Sequence, residues 1–215
     1  LILLFSVLFF LFAVSVSSGC FRKNESDVKS VVRNELDQLK NLDSETTQKY
    51  IPYTELFPDA TENTDLTDEI NETFSLFFRK FNYKISDVIV GTANHSATVS
   101  VKLTTIDSKV LARDFKAELL RTQITESAQA QKGNIKDSSR SLEAHYLILN
   151  HLLNTNDYDT AETDCNIQLV NTGNDKKEKW KIQRTNSLED DLVGGLIADL
   201  ADPDILSPED TLTVY

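Results

Sequence analysis

The chain has 215 residues, enough for one domain of ordinary size with a real core, and carries 34 acidic against 22 basic side chains, a formal net charge of -12. With no lysine- or arginine-rich run to offset that balance, composition argues against nucleic acid as a partner. The 2 cysteines are too few for the disulfide scaffold of a small secreted protein.

Leu1 to Val16 is almost wholly apolar and gives way to the small residues Ser17, Ser18 and Gly19, then Cys20. From Arg22 onward the composition is polar. An apolar run of this length ending in small residues is the pattern of a secretory signal, and it is shorter than the roughly 18 residues expected of a spanning helix. With no methionine even at position 1, the translated start is expected upstream of Leu1. The ending Ser17-Ser18-Gly19-Cys20 resembles the lipobox of bacterial lipoproteins, although Ser17 stands where a leucine-like residue is usual. The resemblance implies cleavage before Cys20, lipidation of its sulfur and attachment to the membrane through that lipid. Conventional cleaved secretion and a retained single span are the alternatives. The divisions expected are a signal peptide over 1–19, a lipidated cysteine and tether over 20–27, one domain over 28–200 and an acidic tail over 201–215.

In the domain, Val28, Val31, Val32, Leu36, Leu39 and Leu42 mark a helix to about Leu42, capped by Ser26 or Asp27. Tyr50, Ile51, Tyr53, Leu56 and Phe57 form a small apolar cluster around Pro52 and Pro58, with one or two short turns or a brief helix. Leu66, Ile70, Phe74, Phe77, Phe78 and Phe81 recur at spacings of three and four and predict a helix capped by Thr67 or Asp65. Tyr83, Ile85, Val88 and Val90 read as a strand. Ala97, Val99, Val101 and Leu103 alternate with polar residues as a second strand, completing a hairpin. A long helix follows from Asp107 or Ser108, anchored by Val110, Leu111, Phe115, Leu119, Leu120 and Ile124, with a stop at Gly133-Asn134. A further helix over 138–153 is capped by Ser138 or Ser139 and lined by Leu142, Tyr146, Leu149, Leu152 and Leu153. Thr163, Cys165, Ile167 and Leu169 line one face of a strand; a turn at Asn171–Asp175 leads to a last strand with Trp180 and Ile182 inward. Leu188 to Leu200 predicts a final helix that contains Gly194-Gly195. If Cys20 is lipidated, Cys165 is the only remaining thiol, and its place on the strand marks it as a buried small hydrophobe.

The fold class expected is α+β, with helices packed on a largely antiparallel, curved sheet made of two hairpins. The Gly19-Cys20 start, the aromatic helix running into Phe81-Asn-Tyr-Lys-Ile85, the alternating Ala97–Leu103 strand and the late Lys179-Trp-Lys-Ile182 strand resemble uncharacterised lipoproteins of Gram-positive bacteria with an NTF2-like domain (DUF5105/DUF4878 type). That resemblance implies an NTF2-like or cystatin-like fold over roughly 25–200, and no catalytic residues. It also implies a cavity between helix and sheet that Phe74, Phe77, Phe78, Phe81 and Trp180 could line; ordinary core packing is the competing reading of these rings.

No catalytic, cofactor or metal residues are assigned. His145 and His151 are six apart and do not share a helix face, unlike a zinc pair at i and i+4, and His95 lies in a turn. The carboxylates around Asp157–Asp164 and Asp199–Asp204 do not follow the spacing of a calcium loop. No phosphate-binding glycine loop or Gly-x-Ser-x-Gly elbow is present. The function expected is therefore that of a lipoprotein on the extracellular face of the cell membrane, held there through Cys20. Its role would be non-enzymatic binding of a small ligand, a peptide or an envelope protein. A small hydrolase or isomerase using an inner cavity, and a structural or assembly subunit of the envelope, are the alternatives.

Overall fold

The computed structural model describes residues 24–51, 56–58, 60, 66–91, 95–130, 140–173 and 178–206. The apolar run, Cys20, the Gly133-Asn134 stop, Ser138, Ser139 and the chain from 207 onward lie outside the described residues. Within them the fold is α+β, with seven α-helices and a four-stranded antiparallel sheet. The helices are α1 (24–40), α2 (Ser44–Tyr50), α3 (Thr67–Phe77), α4 (Ser108–Ala130), α5 (Leu142–Thr155), α6 (Asn186–Leu192) and α7 (Leu196–Ala201). The strands are β1 (Asn82–Val90), β2 (Ser96–Ile106), β3 (Thr160–Asn171) and β4 (Trp180–Ile182), and they lie side by side in chain order. Two helix-plus-hairpin units are visible in this order: α3 runs through a 3-10 turn, Phe78–Lys80, into β1 and β2, and α5 precedes β3 and β4.

The chain divides into two compact units. The first holds the described parts of Leu1–Asp37, with Lys84–Val101 and Cys165–Gln183. Its core joins the α1 stripe Val28, Val32 and Leu36 to Val99, Val101, Cys165, Ile167, Leu169 and Trp180, all buried. In this unit Ala97, Val99 and Val101 of β2 and Cys165, Ile167 and Leu169 of β3 are buried at alternate positions, as an antiparallel sheet with one covered face requires. The other face is polar and cross-linked: Thr98 donates to Gln168 Oε1 at 2.9 Å and Ser100 to Asn166 Oδ1 at 2.8 Å. Leu169 stands opposite Ile182 and Asn171 opposite Trp180. The side-chain oxygen of Asn171 accepts from the N–H groups of Gly173 and Lys179 at 2.9 and 3.0 Å, which closes the mouth of this turn.

The second unit comprises Gln38–Tyr83, Lys102–Asp164 and Arg184–Tyr215 in its described parts. Here α3 packs on α5, α5 on α4, and α4 on α7. A polar clamp fixes the first contact: the Thr73 hydroxyl donates to Asn150 Oδ1 at 2.6 Å, and both residues are buried.

Several boundaries differ from the sequence reading. Residues 24–27, expected as tether, are already helical, so Ser26 and Asp27 lie inside α1, where acidic side chains suit the positive end of the helix dipole. The residue before α3 is Leu66, which makes no side-chain capping bond, and Thr67 is the first helical residue; Asp65 lies outside the described residues. Helix α5 is capped by Ser141, whose side chain accepts from Ala144 N–H at 3.1 Å. The single helix expected over Leu188–Leu200 is broken. Gly194 and Gly195 take φ of 67° and 90°, left-handed values that end α6, and the Asp190 carboxylate then accepts from Ile197 and Ala198 N–H at 2.9 and 3.1 Å to start α7. Residues 201–206, expected as acidic tail, contain a buried Ile205.

Helix α1 ends with Asp43 N–H on Gln38 C=O and Leu42 N–H on Leu39 C=O, at 2.9 and 3.0 Å, the paired bonds of a Schellman cap. The left-handed position is Leu42, at φ 61° and 42% exposed. A leucine pays the Cβ clash there and gains little burial. Leu42→Gly should therefore raise stability by up to about 1 kcal/mol; a fall in the urea midpoint would contradict this account of the cap.

Candidate functional site

Helix α4 is 23 residues long, and burial is uneven along it. Leu111, Ala112 and Phe115 are fully covered, whereas Leu119, Leu120 and Ile124, expected as core anchors, are only half-buried. The exposed apolar side of α4 forms one wall of a groove of about 910 Å³ within the second unit. Leu56 and Phe57 line it from the segment before α3. Ile197 and Leu200 of α7 line it too, with Pro203 and Leu206 beyond. Its volume falls inside the roughly 300–1,000 Å³ of small-molecule sites.

Aromatic rings make part of the groove. Phe57 lies 5.1 Å from Phe115, 4.8 Å from the imidazole of His145 and 5.5 Å from Tyr146, the last edge-on. His145 is 5.6 Å from Phe115. Burial holds this imidazole below its ordinary titration range, against the opposing pull of its hydrogen bond to the Ser141 carbonyl. A carbonyl only accepts, so Nδ1–H is the donor across that 2.7 Å bond and Nε2 of the neutral ring is left with a lone pair. Among the described residues the lining includes two cationic side chains, Lys116 and Arg140. Lys116 Nζ donates to the Asp202 carbonyl at 2.5 Å, tying α4 to the residue after α7.

The rings that the sequence leaves as either cavity lining or core are not among the described lining of this groove. Phe74, Phe77, Phe78 and Phe81 are 4%, 2%, 1% and 3% exposed. They stack in a chain, Phe74–Phe78 at 6.3 Å, Phe77–Phe78 at 5.5 Å and Phe78–Phe81 at 5.3 Å, and none is in the wall of the groove. Trp180 is buried in the first unit, its indole N–H donating to Glu178 at 3.2 Å. Of the histidines, His95 and His151 are exposed. Among the described residues no three or more histidines, cysteines or carboxylates gather as a metal set. Of the residues that form the groove, Phe57, Phe115, Leu119 and Leu120 were each visible in the sequence as apolar positions, and His145 was not. Nothing in the sequence marked them as neighbours.

A second polar constellation lies where α4 begins. Ser108 Oγ is 2.5 Å from the Gly194 carbonyl, to which it donates, and 2.7 Å from Asp199 Oδ2. It joins the start of α4 to the break between α6 and α7. Further along, the Tyr158 hydroxyl donates to Asp114 at 3.1 Å and accepts from Asn156 at 3.1 Å. Burial pushes this phenol up to about 12. Its folded value lies above the unfolded one, so its stabilising contribution is complete below about pH 10 and is lost as pH rises through about 12. Absorbance titration at the phenolate band should include a late step to which Tyr158 contributes, and Tyr158→Phe should reduce its amplitude by one phenol. A late amplitude unchanged in the variant would contradict the assignment.

Among the described residues no helix is long and apolar enough to cross a membrane. Comparisons with family models, with curated proteins and with solved structures found no match to this chain.

Proposed function

We propose that this is an exported protein, tethered to the outer face of a Gram-positive-type membrane through a lipid on Cys20, that binds a small apolar ligand in the groove along α4. The observation that carries the binding reading is the groove itself. Leucines and aromatic rings line about 910 Å³ on a 23-residue helix whose apolar side the fold leaves half-covered. Leaving such a surface open to water forgoes about 25 cal/mol for each Å² not buried, which a ligand can recover. The export reading is supported by the apolar run Leu1–Val16 and the Ser17-Ser18-Gly19-Cys20 ending. An NTF2-like affinity is part of the same proposal, supported by two successive helix-plus-hairpin units in one antiparallel sheet. A tether of this kind confines the binding site to the membrane surface and raises its effective concentration for ligands there.

The anchor is tested by expressing the full chain in a Gram-positive host fed radiolabelled palmitate. Label in the membrane-bound protein, lost in Cys20→Ala together with membrane retention, is the expected result. An unlabelled protein that keeps residues 1–19 would overturn the tether. The groove is tested by an environment-sensitive apolar dye, expected to brighten with the wild-type chain and not with Leu120→Asp.

A further inference from the structure

We infer that the groove selects an apolar molecule bearing a hydroxyl group, its body on the leucine wall of α4 and its O–H donated to Nε2 of His145. This rests on the groove being a binding site and names the class of ligand. His145 is a half-buried member of the lining. Its Nδ1–H is spent on the Ser141 carbonyl at 2.7 Å, and no described residue bonds Nε2. That bond fixes the tautomer, so Nε2 of the neutral ring can only accept. Burial, with the rings of Phe57 at 4.8 Å and Phe115 at 5.6 Å, disfavours the charged imidazolium and keeps the lone pair in place. A purely apolar ligand that covers this lone pair strips its water and returns nothing. A ligand with a donor avoids that loss, so one acceptor in an apolar lining discriminates between otherwise equal molecules. The choice of donor follows from the surroundings. An ammonium would carry its charge onto an apolar wall. A carboxylate sets lone pairs against a lone pair. An amide brings an N–H, but with it a carbonyl that must lose its water as well. A hydroxyl supplies the donor on the smallest polar surface.

The test offers the full chain, held in phosphatidylcholine nanodiscs at about pH 8 so that the imidazole is neutral, two photoreactive probes: a diazirine decanol and its methyl ether. Both are expected to label the segments around Phe115–Gln123 and Leu200–Leu206 and to be displaced by plain decanol. The readout is the ratio of alcohol to ether labelling, compared with the same ratio in His145→Phe, which keeps a ring beside Phe57 and Phe115 and removes the acceptor; the comparison cancels the unequal partition of the probes into lipid. The wild-type ratio should be higher by about fivefold, the worth of one net hydrogen bond. Leu120→Asp, half-exposed and therefore tolerable to the fold, should abolish labelling by both probes while the far-ultraviolet spectrum is unchanged. Equal ratios in wild type and His145→Phe would overturn the hydroxyl and leave the groove a binding site. Absence of labelling by either probe in the wild type would take both readings down. Stronger displacement by decanoate than by decanol would also overturn the proposal, as would displacement by a peptide of residues 207–215 and not by decanol, which assigns the groove to a peptide.

Discussion

Gly194→Ala should cost the protein about 3 kcal/mol and lower its melting temperature by roughly 6–12 °C. Two effects add. At φ 67° an alanine pays the left-handed Cβ clash, about 1–2 kcal/mol. The new methyl would also stand 2.2 Å from Thr105 Oγ1 and 3.2 Å from Thr105 Cβ, with Thr105 buried at the end of β2. Something must move, and overpacking of this kind costs about 1–3 kcal/mol. Gly195 separates the two effects. Its φ is 90°, but a Cβ there would meet Ser108 Oγ only at 3.7 Å, an ordinary contact. Gly195→Ala should therefore show the backbone cost alone. The double variant Gly194→Ala, Thr105→Ala should recover part of the loss, because the crowding atom is gone. Equal melting temperatures for the two glycine variants would contradict the close approach between the α6–α7 break and β2.

Phe78→Ala is expected to cost about 3–5 kcal/mol, the range for removing a fully buried ring. Phe78 is 1% exposed and lies within 5.3 to 6.3 Å, ring centre to ring centre, of Phe74, Phe77 and Phe81. The ring is the hub of the cluster, and its loss leaves a cavity that three neighbours border. Leu120→Ala provides the contrast. Its side chain lies half-exposed on the groove wall, so the change should cost below about 1 kcal/mol in the empty protein. Chemical denaturation of both variants measures the difference. A Phe78→Ala protein as stable as wild type would mean that these rings border open space.

The elements were legible where burial follows a simple period. Strand β2 alternates without interruption, and α3 carries phenylalanines at three- and four-residue spacing, so both were placed to within a few residues. Breaks set by single atoms were less legible. Periodicity does not say whether Gly194-Gly195 bends one helix or separates two, nor that Thr105, about ninety positions away, leaves no room for a Cβ at Gly194. The groove was hidden for a related reason. Hydrophobic periodicity says which side of α4 is apolar, not how far along it the neighbours reach. Leu111 and Leu119 look alike in the sequence; one is fully covered and the other is half-open. His145 likewise gave no signal of its own, because its environment is made by Phe57 and Phe115 from two distant segments.

The most direct measurement is native mass spectrometry of the full chain released from the membranes of a Gram-positive host, comparing wild type with Leu120→Asp. The wild-type protein should carry a non-covalent adduct with the mass of a small ligand, in addition to a covalent lipid on Cys20, and the variant should keep the covalent lipid and lose the adduct. Wild-type and variant spectra that differ only by the substituted side chain would contradict a ligand in the groove.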